Sequence, residues 1–367
     1  MRILHLSSDY LFTRVYQALL SNIECAGVQN VMYSPVAHGT VHDETAPGAI
    51  VSPCFQKYDR FFYRVKQKKI YRDVHQRLKL TDFDLLHAHF LFSNGFTAMQ
   101  AKERYKIPFV VTVRDTDLNV FFKYVIHLRK TGLRILKEAS RVVFLSETYR
   151  EQLLQNYVPQ RRCAEIFDKS IIIPNGIDKF WLLNQNQPKK IAARKKIKII
   201  AVGTIEKRKN QLTTVEACKL LKNKGLDVEF LIVGQSLDDV LLAKLLQISF
   251  VKYIPHQSKE SLIKLYRDSD IFVMPSITET FGLVYAEALS QGLPVLYTRG
   301  QGFDRQFEEG EVGYAVDCFD VKELVDKVLM IVQEYASISK RCINLANNFS
   351  WNTIARRYVR MYQEILG

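Results

Sequence analysis

Short apolar runs rich in β-branched residues alternate along the chain with longer stretches whose apolar residues recur every three or four positions. In the first half "RILHL", "VQNVMYSPV", "LLHAH", "FVVTV", "RVVFLS" and "SIIIP" predict strands, with helices over "AMQAKERY" and "TGLRILKEA". In the second half "KIIAVGTI", "VEFLIVG", "ISFVKYI", "DIFVMPS" and "PVLYTR" predict strands. Helices are expected there over "QLTTVEACKLLKNKG", "LDDVLLAKLLQ", "KESLIKLYRDS" and "GLVYAEALSQG". Strands alternating with helices imply parallel sheets covered on both faces. The polar, basic, proline-bearing "LLNQNQPKKIAARKK" predicts a linker over residues 183–196. The expected fold class is therefore α/β, with two doubly wound parallel-sheet domains, 1–182 and 197–350, facing across a cleft. Ligands of such sheets bind at the carboxyl ends of the strands, near a topological switch point. The closing "FSWNTIARRYVRMYQEILG" places Trp351, Ile354, Tyr358, Met361, Tyr362 and Ile365 on one broad helical face. That helix, 351–367, is expected to pack back on the first domain.

Composition narrows the class. A chain of 367 residues can bury two cores, and 47% hydrophobic with 25% charged content is that of a soluble globular protein. No run of about 18 apolar residues predicts a spanning helix. "MRILHLSSDY" reads as a first buried strand and not as a signal peptide. Six cysteines without a C-x-x-C pair read as reduced thiols of a cytosolic protein.

The net charge of +14 implies an anionic partner: nucleic acid, a membrane surface or a phosphorylated substrate. Half of that excess lies in "KYDRFFYRVKQKKIYRDVHQRLK", residues 57–79, where nine Lys or Arg stand against Asp59 and Asp73. Tyr58, Phe61, Phe62, Tyr63 and Tyr71 are interleaved with the cations. Such a basic, aromatic helix predicts a seat on an anionic membrane surface, with Lys66, Lys68, Lys69, Phe61 and Tyr63 turned outward. The competing reading buries the aromatics in the core and leaves the cations solvated.

The stretch "SITETFGLVYAEALSQGLPV", residues 276–295, carries the candidate chemistry. Thr280 is placed to cap a helix whose first residues, Phe281, Gly282 and Leu283, expose unpaired amides. A helix start after a strand is a natural phosphate site, and Gly282 lets a ligand approach the backbone. Glu279 sits just outside that end, and Glu287 lies about 10 Å along the axis at about 1.5 Å per residue. Two carboxylates flanking a phosphate site would repel the phosphate, unless each accepts hydrogen bonds from hydroxyls on either side of a diphosphate. A nucleotide sugar has that layout. The plainer reading has Glu279 capping the helix and Glu287 solvating its outer face.

The segment "ETFGLVYAEALSQGLPV" resembles the E-x7-E motif of the retaining glycosyltransferases of family 4, which have the GT-B architecture of two Rossmann-like domains. "IIIPNGID", "AVGTIEKRKNQ", "DIFVMPS" and the closing "FSWNTIARRYVRMY" agree with that family in the same order. The resemblance implies that Glu287 holds the nucleotide ribose and Glu279 touches the donor sugar near the reaction centre. It assigns the diphosphate to the amides of Phe281, Gly282 and Leu283 and to Lys209, beside the turn at Gly203. Fixed cations there would stabilise charge growing on the leaving diphosphate. The family's arginine position holds Thr204, which leaves Lys207 or Arg208 as compensating cations.

The first domain departs further from the family. "SSDYLFTRVY" lacks the family's glycine-rich loop, leaving Thr13 or its backbone to approach the diphosphate, and Arg114 stands where many members have a histidine. Arg114 suits an anion on the donor or acceptor but not general-base work near neutral pH. The bland alternative pairs it with Asp115 or Asp117. No metal and no cofactor are expected, the nucleotide-diphosphate sugar being a co-substrate. "DFD" (82–84) and "DTD" (115–117) read as chance acid pairs, and His87 and His89 in "HAH" as a histidine pair without a third ligand. "GFDRQFEEGEVGY" (302–314) is expected as a loop closing over the donor.

The resemblance thus implies transfer of a hexose-type sugar from a UDP- or GDP-sugar to a saccharide or lipid-linked saccharide. This would take place at the cytoplasmic face of the membrane, in surface polysaccharide synthesis such as that of a capsule. Alternatives are a nucleotide-sugar epimerase of the same fold and a basic nucleic-acid-binding α/β protein, the latter without a recognition motif.

Overall fold

Residues 1–40, 48–190 and 196–367 are described by a computed structural model, in which the chain divides into two units, Met1–Gly176 with Trp351–Gly367, and Ile177–Ser350. In the first unit the strands are β1 (Arg2–Leu6), β2 (Gln29–Ala37), β3 (Ala49–Phe55), β4 (Leu85–Ala88), β5 (Phe109–Val113), β6 (Arg141–Phe144) and β7 (Ser170–Ile172). They pair in parallel in the order β3-β2-β1-β4-β5-β6-β7. The helices are α1 (Val15–Cys25), α2 (Tyr63–Arg77), α3 (Gly95–Tyr105), α4 (Arg129–Glu138), α5 (Glu147–Asn156) and α6 (Gln160–Asp168). Every residue of β5 is buried, as expected for a parallel strand covered on both faces.

In the second unit β8 (Lys196–Val202), β9 (Asp227–Val233), β10 (Val251–Ile254), β11 (Ile271–Val273), β12 (Val295–Thr298) and β13 (Gly313–Val316) form a parallel sheet ordered β10-β9-β8-β11-β12-β13. Its helices are α7 (Lys179–Leu183), α8 (Gln211–Asn223), α9 (Asp239–Leu246), α10 (Lys259–Asp268), α11 (Leu283–Ser290) and the long α12 (Val321–Ala346). The final helix, α13 (Trp351–Leu366), belongs to the first unit, where its Ile354, Tyr358 and Tyr362 join Leu19 and Ile23 of α1 in one apolar cluster.

Both sheets reverse strand order at one place, between β1 and β4 in the first unit and between β8 and β11 in the second. The carboxyl ends of those four strands are therefore where ligands are expected. Of the stretch read as a linker, residues 191–195 lie outside the described residues. Its Gln185, Asn186 and Lys189 hydrogen-bond to Ile343, Ser290 and Ser339 within the second unit. Among the described residues no helix is long and apolar enough to cross a membrane.

Candidate active site

At the second unit's switch point, β8 ends at Gly203, whose N–H donates to the Val233 carbonyl, and a short basic turn follows. Arg208 of that turn donates to the Thr278 carbonyl at 3.0 Å, and its own carbonyl accepts from the Ile277 N–H at 2.8 Å. Asn210 reaches the Pro275 carbonyl at 3.0 Å. The basic turn is thereby stitched to the loop that follows β11, and Lys209 meets Glu279 at 2.5 Å with both side chains about nine-tenths buried. Partial desolvation strengthens such a pair, and loss of either partner would strand the other charge. Thr204, in the family's arginine position, donates its hydroxyl to Glu206 at 2.5 Å, and Arg208 pairs with the same carboxylate at 2.9 Å. Arg208 is therefore committed to the loop and to Glu206.

The helix expected to begin at a Thr280 cap begins two residues later. Gly282 is the cap, at φ +75°, and Leu283 is the first residue of α11. A Cβ on Gly282 would stand 2.4 Å from the Tyr285 ring, so glycine is required by space as well as by dihedral. Phe281 turns its ring inward against Phe303 and Phe349 and offers only its backbone. Among the described residues the amides of Phe281, Gly282 and Leu283 have no acceptor, so the helix tip presents free N–H groups.

The stretch 302–314, expected as a loop over the donor, is fastened at its start. Gly302 N–H donates to the Glu279 carbonyl at 3.0 Å, the neighbouring Gln301 side chain accepts from the Glu279 N–H at 3.0 Å, and Phe303 is buried among aromatic rings.

Glu287, on α11, is partly buried beside Tyr266, whose hydroxyl donates to it at 3.5 Å. Burial pushes its carboxyl up to about 7, against the stabilising bonds from Tyr266 and Trp181. Asp178, itself paired with Lys259 at 2.5 Å, adds to the rise. An acid poised near neutrality beside a helix tip with free amides can accept hydroxyl donors once ionised.

At the first unit's switch point, three histidines converge for a reason visible in register. His5 of β1 pairs with His87 of β4, and His89 lies two residues farther on the same side. Their donor atoms all lie within 4.8 Å of one another, so the third histidine missing from the sequence reading is His5, 82 residues away in the chain. His5 Nδ1 meets His89 Nε2 at 3.0 Å and His5 Nε2 meets Asn30 at 2.9 Å. His87 is held by Tyr362 at 2.7 Å and Thr112 at 2.9 Å. Burial holds all three well below the usual histidine range, His5 at about 4. The ring nitrogens of His5 and His87 already have protein partners, so the cluster reads as a neutral hydrogen-bonded network.

Arg114 follows β5 and is 6% exposed. Its guanidinium makes no ion pair with Asp115 or Asp117, although its backbone N–H donates to Asp117 at 2.9 Å. Asp115 accepts from Asn119 and Tyr149, while Asp117 accepts from the backbone amides of Leu91, Phe92 and Arg114. Both acids of "DTD" are thus consumed locally, as are those of "DFD", where Asp84 accepts from Arg2 N–H and Asp82 pairs with Lys79. Thr13 is likewise engaged, accepting from the Val15 N–H at 3.2 Å.

The basic aromatic stretch divides into two populations. Tyr58, Phe61, Phe62 and Val65 are exposed, and so is Lys68. Tyr63, expected to face outward, turns inward instead, its hydroxyl donating to the Phe92 carbonyl at 2.9 Å and its ring packing edge-on to Phe92, Phe96 and Phe121. Lys69 pairs with Asp59 at 2.7 Å, and Lys66 lies half-buried over the Phe55 ring at 4.4 Å. The Tyr63–Phe121 contact brings up a second exposed apolar group that the sequence reading missed: Val120, Tyr124 and Ile126.

Residues 14–179 match the family model described as Glycosyltransferase Family 4, and residues 184–349 match the one described as Glycosyl transferases group 1. The D-inositol 3-phosphate glycosyltransferase of Arthrobacter sp. is 25% identical over 311 residues, covering 79% of this chain and 72% of that protein. Among solved structures, sucrose-phosphate synthase from Thermosynechococcus elongatus superposes with a TM-score of 0.73 at 17% identity, covering 99% and 98% of the two chains. Anabaena Alr3699/HepE in complex with UDP-glucose gives 0.69 at 15% identity, covering 99% and 100%. With a family 4 domain followed by a group 1 domain, each a parallel-sheet unit of the GT-B kind, the chain is a group 1 glycosyltransferase.

Proposed function

We propose that the protein is a retaining glycosyltransferase that moves a hexose-type sugar from a nucleotide-diphosphate donor, UDP-linked in preference to GDP-linked, to a saccharide or lipid-linked saccharide. Surface polysaccharide synthesis is the setting that fits such an acceptor. The observation that carries the reading is the second unit's grouping of free amides at 281–283, the buried Lys209–Glu279 pair and Glu287 farther along the same helix. In this reading the amides and Lys209 hold the diphosphate and neutralise charge that grows as the glycosidic bond breaks. Glu279 accepts from donor-sugar hydroxyls, and Glu287 from the ribose. No side chain is assigned as nucleophile: the departing phosphate oxygen takes the acceptor proton on the face it leaves. The UDP-glucose complex of the structurally similar Anabaena protein supports a uridine donor.

Peripheral attachment to the cytoplasmic membrane face belongs to the same proposal. It is supported by the exposed aromatics and by the cations of 57–79, among which Asp59 is buried and paired.

The test is turnover of a panel of UDP- and GDP-sugars with and without saccharide acceptors, with products and anomeric configuration read by NMR. Donor consumption that requires acceptor, with retained configuration, is expected. Glu287→Ala should raise the donor KM, and Glu279→Ala should mainly lower kcat. Conversion of donor alone into an epimeric nucleotide sugar, or absence of nucleotide binding, would overturn the reading.

A further inference from the structure

Arg114 is a buried cation whose guanidinium has no ion-pair partner among the described residues. Its Nε donates to the His89 carbonyl at 3.4 Å and its Nη1 to the Asn175 side-chain oxygen at 3.2 Å. The rings of Tyr16 and Phe90 flank it at 5.7 and 5.9 Å. Among the described residues no carboxylate lies within ion-pair distance of the guanidinium. Asp115 and Asp117 are occupied as described above. Asp9 feels the positive charge of Arg114 but forms no ion pair with it. The three histidines nearby are neutral by burial. Asp9 and Asp117 offset part of the charge from a distance, but neither carboxylate caps the guanidinium.

Keeping an ion away from water without a partner costs several kcal/mol, so the arrangement is poor as a stabilising device. It makes sense as a receptor. Two further observations point the same way. Arg114 Nη2 and the Asn175 amide nitrogen donate to nothing among the described residues, although the two side chains are joined through Nη1 and Oδ1. His89 Nδ1, in the residue whose carbonyl orients the guanidinium, is also buried without a partner. The location, after the ends of β4, β5 and β7 beside the first unit's switch point, is where doubly wound sheets bind ligands. A planar guanidinium with an open edge and an adjacent amide matches two oxygens of a phosphate or carboxylate.

We propose that Arg114 and Asn175 form a subsite in the first unit for an anionic group, phosphate or carboxylate, carried by the acceptor. The assignment to the acceptor rests on the glycosyltransferase reading above; the anion site itself does not. Arg114 then determines acceptor specificity, and neutral saccharides lacking the anionic group are expected to be poorer acceptors.

The experiment uses the full chain saturated with UDP, titrated calorimetrically with inorganic phosphate and, separately, with acetate as the carboxylate probe. One anion should bind per chain while UDP remains bound. Arg114→Gln should weaken it at least tenfold, and Arg114→Lys should restore part of the loss. Asn175→Asp, which lays a carboxylate against the guanidinium, should abolish anion binding and serves if Arg114→Gln fails to fold, with UDP affinity reporting the integrity of the second unit. Binding of neither anion, or binding unchanged in both variants, would overturn the subsite. Phosphate that competes with UDP and is lost on Lys209→Ala but not on Arg114→Gln would assign the anion to the donor, which equally overturns it. Failure of the donor panel with anion binding intact would instead remove the glycosyltransfer reading and leave the site.

Discussion

If Glu287 accepts from the ribose as proposed, its raised carboxyl couples donor binding to pH. Burial is the largest cause of its rise to about 7, so at neutral pH the free protein holds it about half protonated. A protonated acid accepts poorly from ribose hydroxyls. The affinity for UDP-glucose, whose diphosphate does not titrate in this range, should therefore rise as pH increases through about 7 and level off above it. Glu287→Gln should bind about tenfold more weakly with a flat profile. Calorimetric titration between pH 6 and 8.5 checks this, and a flat wild-type profile would place the ribose elsewhere. Glu287, Glu279 and Lys209 could be named from sequence because they lie in short contiguous segments, "ETFGLVYAEALSQGLPV" and "AVGTIEKRKNQ", that resemble the family's motifs. His5, Asn175 and the inward turn of Tyr63 could not, since each is defined by a partner 25 or more residues away. Local spacing says nothing about such partners.

At the scale of elements, the helix cap carries the heaviest local constraint. Thr280 looked like the cap because its side chain suits the role, whereas the chain must turn into α11 through a left-handed residue, which only Gly282 permits without strain. Gly282→Ala should destabilise the second unit by about 1–3 kcal/mol and weaken UDP binding along with it. Urea unfolding with and without UDP measures both, and an unchanged midpoint would refute the steric argument. Two strands escaped the sequence reading for physical reasons. β3 is an edge strand whose apolar run is interrupted by Ser52 and Pro53. β13 has only four residues and opens on a glycine.

The membrane seat also has an element-scale test. Because Lys66 and Lys69 are engaged within the fold, charge reversal at exposed Arg64 and Lys68 should reduce binding to phosphatidylserine vesicles at low salt, at about 1 kcal/mol per cation. Phe61→Ser with Phe62→Ser should reduce it further. Equal sedimentation of all variants with vesicles would remove the proposal.

Across the whole molecule the two units carry opposite pH debts. In the first, His5, His87 and His89 are buried and neutral, with folded pKa values below the unfolded value of about 6.5. Their contribution to stability is full above that value and is lost as pH falls from about 6.5 toward about 4, because the unfolded chain binds protons that the folded one refuses. Asp117, pushed up to about 6, and Asp9, also raised, act the other way, but they face three imidazoles. In the second unit the raised Glu287 is destabilising when ionised, so acidification from pH 7 to 5 relieves it. The depressed carboxylates of both units, such as Asp73 and Glu229, remain ionised in that window and drop out of the comparison. Lowering pH from 7 to 5 should therefore weaken the first unit and strengthen the second. The chain supplies its own reporters, since its two tryptophans are Trp351 in the first unit and Trp181 in the second. Urea unfolding of Trp181→Phe, followed by Trp351 fluorescence, should shift to lower midpoints at pH 5. Unfolding of Trp351→Phe, followed by Trp181, should shift upward, and adding Glu287→Gln should cancel that shift. Midpoints that move together in both reporters would show that the buried imidazoles and Glu287 do not govern the response.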